Sequence, residues 1–449
     1  MHPPKSTSSI NKLTTFSLLA MSLFACKEPE PIPVSATDFQ NSVDHVTSIM
    51  VHDIFSPPVA SRIYAYPNIA AHEIIAQQDS SMTELALSIK HLNPVPKGED
   101  PMINYPLAAL IAHMEVSKAL VFSEERVAQY RDSLYAKWTD QNKTSFGASK
   151  QYGLSVAQHI IAWMNQDRYG ATRTMPKFTV ITEDPSRWQP TPPAYMDGIE
   201  PHWNKIRPMI MDSATQFKPI PPPEFSLDPE SEFYKELLFV YQTSKRIEAE
   251  GDQSDEIKMA QFWDCNPYVS VTRGHLMFAT KKITPGAHWI GITKIAAQQA
   301  NLDFNETVSA YTKTSIAIFD AFISCWDEKY RSNLIRPETL INQYIDEGWK
   351  PVLQTPPFPE YTSGHSVVSG ASAQVLTDIF GADFGFDDTT ELPYGLPMRH
   401  FDSFEQAAQE AAISRMYGGI HYNKAIVEGL KQGALVGQLV RDQLNSSDE

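Results

Sequence analysis

Residues 355–381, TPPFPEYTSGHSVVSGASAQVLTDIFG, change character half way along. The first half is broken by Pro356, Pro357 and Pro359 and is predicted to be extended loop. The second half places Val367, Val368, Ala371, Val375, Leu376 and Ile379 at helical spacing. A helix is therefore predicted to start at Ser363 and to close at Gly381. Ser363, Gly364 and His365 then occupy its first turn, where free N–H groups and the positive dipole end favour an anion. A hydroxyl, a glycine that lets a ligand approach the backbone, and an imidazole that can move a proton are added there. An ordinary helix cap uses the same residue types, so the meaning of this turn depends on what else reaches it.

Most of the remaining chain repeats the helical pattern. Apolar residues recur at helical spacing in 39–55, 60–78, 106–122, 150–166, 231–250, 256–263, 292–300 and 307–335, and a further helix is predicted to follow Ser123. Strand-like alternation is scarce, and residues 177–184 (KFTVITED) are the best short candidate. Residues 186–223 are rich in proline, a pattern of long loops that cover a site or separate helical groups. No repeat of solenoid length is present. The fold class read from this is all-α, a multi-helix bundle with Pro-rich connecting loops. With 449 residues, 42% of them hydrophobic and 20% charged, the chain can bury a large helical body. Its formal net charge of −16 argues against nucleic acid as a partner. Any anion site must be a local concentration of Lys and Arg against that field.

The first residues read as an export signal. Lys5 and Lys12 precede an apolar run from Phe16 to Ala25 that is too short to span a bilayer. Leu23-Phe24-Ala25-Cys26 resembles a bacterial lipobox, with Phe24 unusual at its place, and Lys27-Glu28-Pro29-Glu30 resembles the surface-export signal of Bacteroidetes lipoproteins. The expected organisation is a signal peptide over 1–25, a Pro-rich tether over 26–37 and one all-helical catalytic domain over 38–449. A lipid on Cys26 would hold the mature protein to the outer membrane, facing the surface or the periplasm; an ordinary cleaved signal peptide, leaving a periplasmic or secreted protein, is the alternative. Cys265 and Cys325 are left over, free to pair or not.

Two more pieces lie in the last third. Lys329 and Arg336 are seven residues apart, which on one helix sets both cations on one face, and Pro337 would end that helix at Arg336. Like charges on one stripe repel unless an anion sits between them, although a solvated basic face is the plainer reading and suits Arg331. In Ser414-Arg415-Met-Tyr-Gly-Gly-Ile-His421, a helix capped by Ser403 and Gln406 is predicted to end at Gly418-Gly419. Only that break lets Arg415 and His421 converge; a new helix follows from near His421 through Ile426, Val427, Leu430 and Leu435. Lys329, Arg336 and Arg415, with Ser363 and the Gly364 N–H, make a cage for a tetrahedral or bipyramidal oxyanion. His365 and His421 remain for bonding and acid–base chemistry.

The ordered pieces K-x6-RP, Ser-Gly-His and SR-x3-G-x-H resemble the tripartite motif shared by type 2 phosphatidic acid phosphatases and vanadium-dependent haloperoxidases. Thr362 stands where that motif has proline, and the resemblance covers about residues 325–425. It implies vanadate or phosphate held by Lys329, Arg336, Ser363, Gly364 and Arg415, with His365 as the acid–base group. His421 would ligate vanadium in a peroxidase or form a phosphohistidine in a phosphatase. In the peroxidase reading Lys329 makes the bound oxidant more electrophilic, and Phe358, with Trp326 as a second wall, lines the halide side. Ala425 occupies the place where many members carry an acidic residue that orients the last histidine, which leaves the support of His421 open and mildly disfavours a phosphatase. The loop around Phe358 and the absence of visible membrane spans favour a haloperoxidase that uses vanadate, hydrogen peroxide and halide, iodide or bromide before chloride. An acid phosphatase on the same site and a non-enzymatic surface lipoprotein are the alternatives. Trp263 and Tyr268 are upstream candidates for the pocket wall; His72, Glu73 and His275 read as core or capping residues.

Overall fold

The structure, a computed structural model, describes residues 1–4, 31–251, 254–267, 270–273, 276–279 and 282–445, with backbone alone at 270–273 and 276–279. The described residues contain fourteen α-helices and four short strands. The helices are α1 (Ala36–Asp53), α2 (Pro57–Ala76), α3 (Tyr105–Lys118), α4 (Glu124–Gln141), α5 (Lys143–Met164), α6 (Tyr169–Thr172) and α7 (Glu232–Glu250). They continue as α8 (Asp255–Phe262), α9 (Pro285–Gln299), α10 (Phe304–Ser332), α11 (Pro337–Tyr344), α12 (Gly364–Phe380), α13 (Phe404–Tyr417) and α14 (Asn423–Asn445). Strands β1 (Ser270–Arg273) and β2 (Leu276–Ala279) form one antiparallel hairpin, and β3 (Phe386–Asp388) pairs antiparallel with β4 (Arg399–Phe401). The all-α expectation holds.

The 29-residue α10 is the axis of the bundle. Its start is fixed by a capping box, in which the Asp303 carboxylate accepts from the Glu306 N–H at 2.9 Å and Glu306 accepts from the Asp303 N–H. Nearly every side chain from Phe304 to Lys329 is buried, because α2, α9, α12 and α14 all pack against it. The buried Asp320 on α10 accepts from the N–H groups of Met209, Ile210 and Met211 at 2.7–2.9 Å. That ties down the Pro-rich segment, whose Ile199 N–H meets the Pro357 carbonyl at 3.1 Å. The segment thus lies against the outside of the 355–363 loop.

Residues 177–184 are not a strand. They pair with no strand among the described residues; Phe178 packs instead on the rings of Trp188 and Tyr330. The Ser403 cap also differs in part. Ser403 Oγ accepts from the Gln406 N–H, while the Gln406 side chain accepts from Asp402 N–H instead of closing a box.

The contact that sets the active end of the bundle is α12 against α14. The sequence pattern suggested large apolar residues here, yet Val427 and Leu435 are exposed. The buried stripe carries Gly429, Gly433 and Gly437 at four-residue spacing. A Cβ on Gly433 would lie 2.0 Å from the Val367 carbonyl oxygen, and one on Gly437 2.5 Å from that of Ala371. The two backbones touch, and no side chain fits between them. Gly433→Ala is expected to cost about 3 kcal/mol, because backbone cannot yield as a side chain can. Gly147→Ala, in the exposed part of α5 with nothing within 4 Å, is expected to add about 1 kcal/mol. Chemical denaturation of both variants checks the contrast.

Candidate active site

Each cation reaches the site from a different element, and each is buried. Lys329 ends α10 and donates from Nζ to the carbonyls of Pro359 and Glu360, both at 3.1 Å, and of Thr362 at 2.5 Å. Burial, then the neighbouring Arg336, lowers its ammonium to about 8. Arg336 does not share a helix with it. Asn333 turns into the left-handed region at φ 48°, which ends α10 at Ser332, and Arg336 is the N-cap of α11 with Pro337 in the first position. The two cations therefore converge across a reversal of the chain. Arg336 Nε donates to the Phe358 carbonyl at 3.0 Å and Nη1 to that of Ile420 at 2.8 Å, whereas Nη2 is buried without a partner. Arg415, in the last turn of α13, donates from Nη2 to the Ala260 carbonyl and from Nε to Ser414 Oγ. Gly419, at φ +77°, turns the chain after α13 so that His421 comes back to the same pocket.

Ser363 caps α12 through the Ser366 N–H, and its own N–H is held by the Ala425 carbonyl at 3.1 Å. Gly364, His365, Arg415 and His421 line one small cavity together with Trp326 and Phe358. The Trp326 and Phe358 rings meet at 5.0 Å, and Lys329 Nζ sits 5.0 Å from the Phe358 ring centre. His365 is hydrogen-bonded to the Trp263 backbone, and its Nε2 is buried with no partner. Burial and then Arg415 hold its pKa well below the ordinary range, so it is neutral at physiological pH.

A residue outside the motif completes the arrangement. Glu360 Oε1 lies 2.6 Å from His421 Nδ1 and accepts from the Tyr422 N–H at 3.0 Å. Arg336 Nη1 faces the other ring nitrogen, Nε2, at 3.2 Å. A guanidinium only donates, so Nε2 carries the lone pair and Nδ1–H donates to Glu360 Oε1. Burial raises the Glu360 carboxyl to about 8 although Arg336 and Lys329 act to lower it, while burial and the same cations hold His421 neutral. Ala425 thus leaves no deficit: the carboxylate comes from the loop before Ser363 instead of from α14. Its acidic side chain three residues before Ser363 was visible in the sequence but looked like loop. The unpartnered Arg336 Nη2 and His365 Nε2, with the first turn of α12 between the cations, suit an oxyanion such as vanadate.

Comparison with known proteins agrees with the geometry. Residues 344–447 match the family model described as VCPO second helical-bundle domain. A crystal structure of a bacterial vanadium-dependent iodoperoxidase superposes with a TM-score of 0.90 at 62% identity, over 93% of this chain and 99% of that one. This chain belongs to the vanadium-dependent haloperoxidases. The holo and apo forms of a bacterial vanadium-dependent chloroperoxidase share its fold, with TM-scores of 0.65 and 0.64 at 16% identity, over 88% and 87% of this chain and 93% and 95% of those. No curated protein matches the sequence.

In this haloperoxidase the other singled-out residues fall elsewhere. Arg331 pairs with Asp327 and Glu328 away from the cavity. His72 bonds the Thr83 carbonyl and Glu73 the Leu85 N–H, both structural roles. Trp263 reaches the site through its backbone, while its indole donates to Glu410. Cys265 and Cys325 are free and buried. Tyr268, His275 and the lipobox around Cys26 lie outside the described residues. Among the described residues no helix is long and apolar enough to cross a membrane.

Glu360→Gln keeps one acceptor oxygen but removes the carboxyl that orients His421, and is expected to weaken vanadate binding about 10–100-fold in equilibrium dialysis. The depressed Lys329 makes a second prediction. Between about 8 and its model-peptide value of 10.5 the unfolded chain holds a proton that the folded chain has lost. Stability therefore rises with pH across that window, and below it the buried ammonium weighs against the fold. An oxyanion offsets that cost, so orthovanadate should raise the melting temperature more at neutral pH than above the Lys329 pKa, and Lys329→Met should abolish the difference.

Proposed function

We propose that this vanadium-dependent haloperoxidase oxidises iodide with hydrogen peroxide, and that Lys329, Arg336, Ser363, Gly364 and Arg415 hold the vanadate while His421 Nε2 ligates it. The observation that carries this reading is the Glu360–His421–Arg336 line, which fixes one histidine tautomer with Nδ1 protonated and Nε2 left as the basic nitrogen. When bound, vanadate supplies Lewis acidity. The chain supplies the rest. The cations neutralise the oxyanion, and Lys329 adds charge beside the oxidant. His365, neutral and bonded to backbone on its far side, takes a proton from hydrogen peroxide at Nε2 and returns it to the leaving oxygen.

The choice of iodide rests on the cavity wall and on the 62% identical iodoperoxidase. Phe322, Trp326, Phe358, Pro285, Pro356 and Ile420 give a largely apolar approach. Desolvation there penalises a small, strongly hydrated halide more than a large, polarisable one. Iodide is also the easiest of the three to oxidise.

The full-length protein, reconstituted with orthovanadate, should convert iodide to triiodide in the presence of hydrogen peroxide, and should release no phosphate from p-nitrophenyl phosphate. Phosphate release without vanadate and without halide oxidation would establish the phosphatase instead, which Glu360 would serve equally well. His421→Ala should abolish activity. His365→Ala should lower kcat about 10²–10⁴-fold while leaving vanadate bound.

A further inference from the structure

Behind the wall of the cavity lies a second cluster. Cys265, His288 and Glu391 are all buried, and their Sγ, Nδ1 and carboxylate oxygen lie within 4.8 Å of one another. Cys265 Sγ is 3.4 Å from His288 Nδ1, and Glu391 Oε1 is 3.5 Å from the same nitrogen. Three unlike donors thus come together, and both separations from Nδ1 are those that tetrahedral bonds of about 2.0–2.3 Å produce.

The far side of the imidazole is fixed. His288 Nε2 meets Asp388 Oδ2 at 2.8 Å and Thr390 Oγ1 at 2.7 Å. Asp388 Oδ1 is occupied by the Thr390 N–H and hydroxyl. Asp388 has no role other than as acceptor here, so Nε2 carries hydrogen and Nδ1 is the nitrogen left to bind. A carboxylate behind a histidine whose other nitrogen faces a thiol and a second carboxylate is the arrangement that orients metal-binding histidines and raises their basicity. The Trp263 indole stacks on the imidazole at 4.3 Å and prevents it from turning.

The three donors come from separate elements: Cys265 from the loop after α8, His288 from the first turn of α9, and Glu391 from the loop between β3 and β4. Cys265 also lines the cavity beside His365 and Arg415, and Trp263, two residues before it, bonds His365.

We propose that Cys265, His288 and Glu391 bind a zinc-class divalent cation, separate from the vanadate cage, which clamps the 263–267 loop onto α9 and the β3–β4 hairpin. Thiolate, imidazole and carboxylate together suit a borderline-soft ion. Binding releases the thiol proton and any proton held on His288 Nδ1, and no oxidation is involved. Three protein ligands leave one position for water. Asp388 and Thr390 position His288 and do not touch the ion.

Cobalt(II) serves as the probe, because it reports a thiolate ligand by colour. Titrated into the full-length protein, it should bind with one equivalent per chain and give a sulfur-to-cobalt charge-transfer band with tetrahedral visible bands; zinc should bleach both. Cys265→Ser should lose the charge-transfer band with its circular dichroism unchanged. Asp388→Asn should retain the band and weaken cobalt binding about 10–100-fold. A protein that gives no such band, or a band that persists in Cys265→Ser, overturns the proposal. These readouts are spectroscopic and do not depend on iodide oxidation, so they stand apart from the test of the vanadate site.

Discussion

Lys329, Arg336 and Arg415 are buried together, with the Glu360 carboxyl close at hand. Charges removed from water must be repaid by donors and acceptors held in place, and here backbone carbonyls do most of it. Phe358, Pro359, Glu360 and Thr362 all turn their carbonyls onto Lys329 or Arg336. The prolines explain why this stretch suits the task. Pro356, Pro357 and Pro359 have no N–H, so the loop carries more acceptors than donors and its spare carbonyls need cations. A loop of that composition and a nest of buried cations satisfy each other.

The helices hold this loop at both ends. α10 delivers Lys329 on one side, and α12 begins at the other end of the loop, locked onto α14 by glycines that leave no space between the backbones. The Ala425 carbonyl of α14 takes the Ser363 N–H, so the same helix pair that closes the bundle also fixes the origin of the anion-facing turn. Asp320 anchors the Pro-rich segment that covers the loop from outside.

How much of this was legible in the sequence follows from the range of each interaction. The α12 start at Ser363 and its end at Gly381 could be read, because caps and periodicity are local. The glycine break that lets Arg415 and His421 share a cavity could also be read. The Lys329–Arg336 geometry could not: a seven-residue spacing looks like one helix face, and only Asn333 in a left-handed conformation shows that it is not. The glycine stripe of α14 was hidden for the opposite reason, since close backbone contact is made by residues that have no side chain to betray it. Glu360 was missed because its partner lies 61 residues away. Cys265, His288, Asp388 and Glu391 are scattered over more than a hundred residues and share no spacing signature at all.

The 358–362 loop divides its labour between main chain and side chains. The carbonyl of Phe358 anchors Arg336, while its ring forms part of the cavity wall. A carbonyl is the same in every residue. Descendants of such a chain can therefore change the ring, and with it the company the cavity keeps, without dismantling the scaffold that holds the cofactor. Glu360 has no such freedom, because its carbonyl and its carboxylate are both engaged. Within one short loop, position 358 is free to change its side chain and position 360 is not.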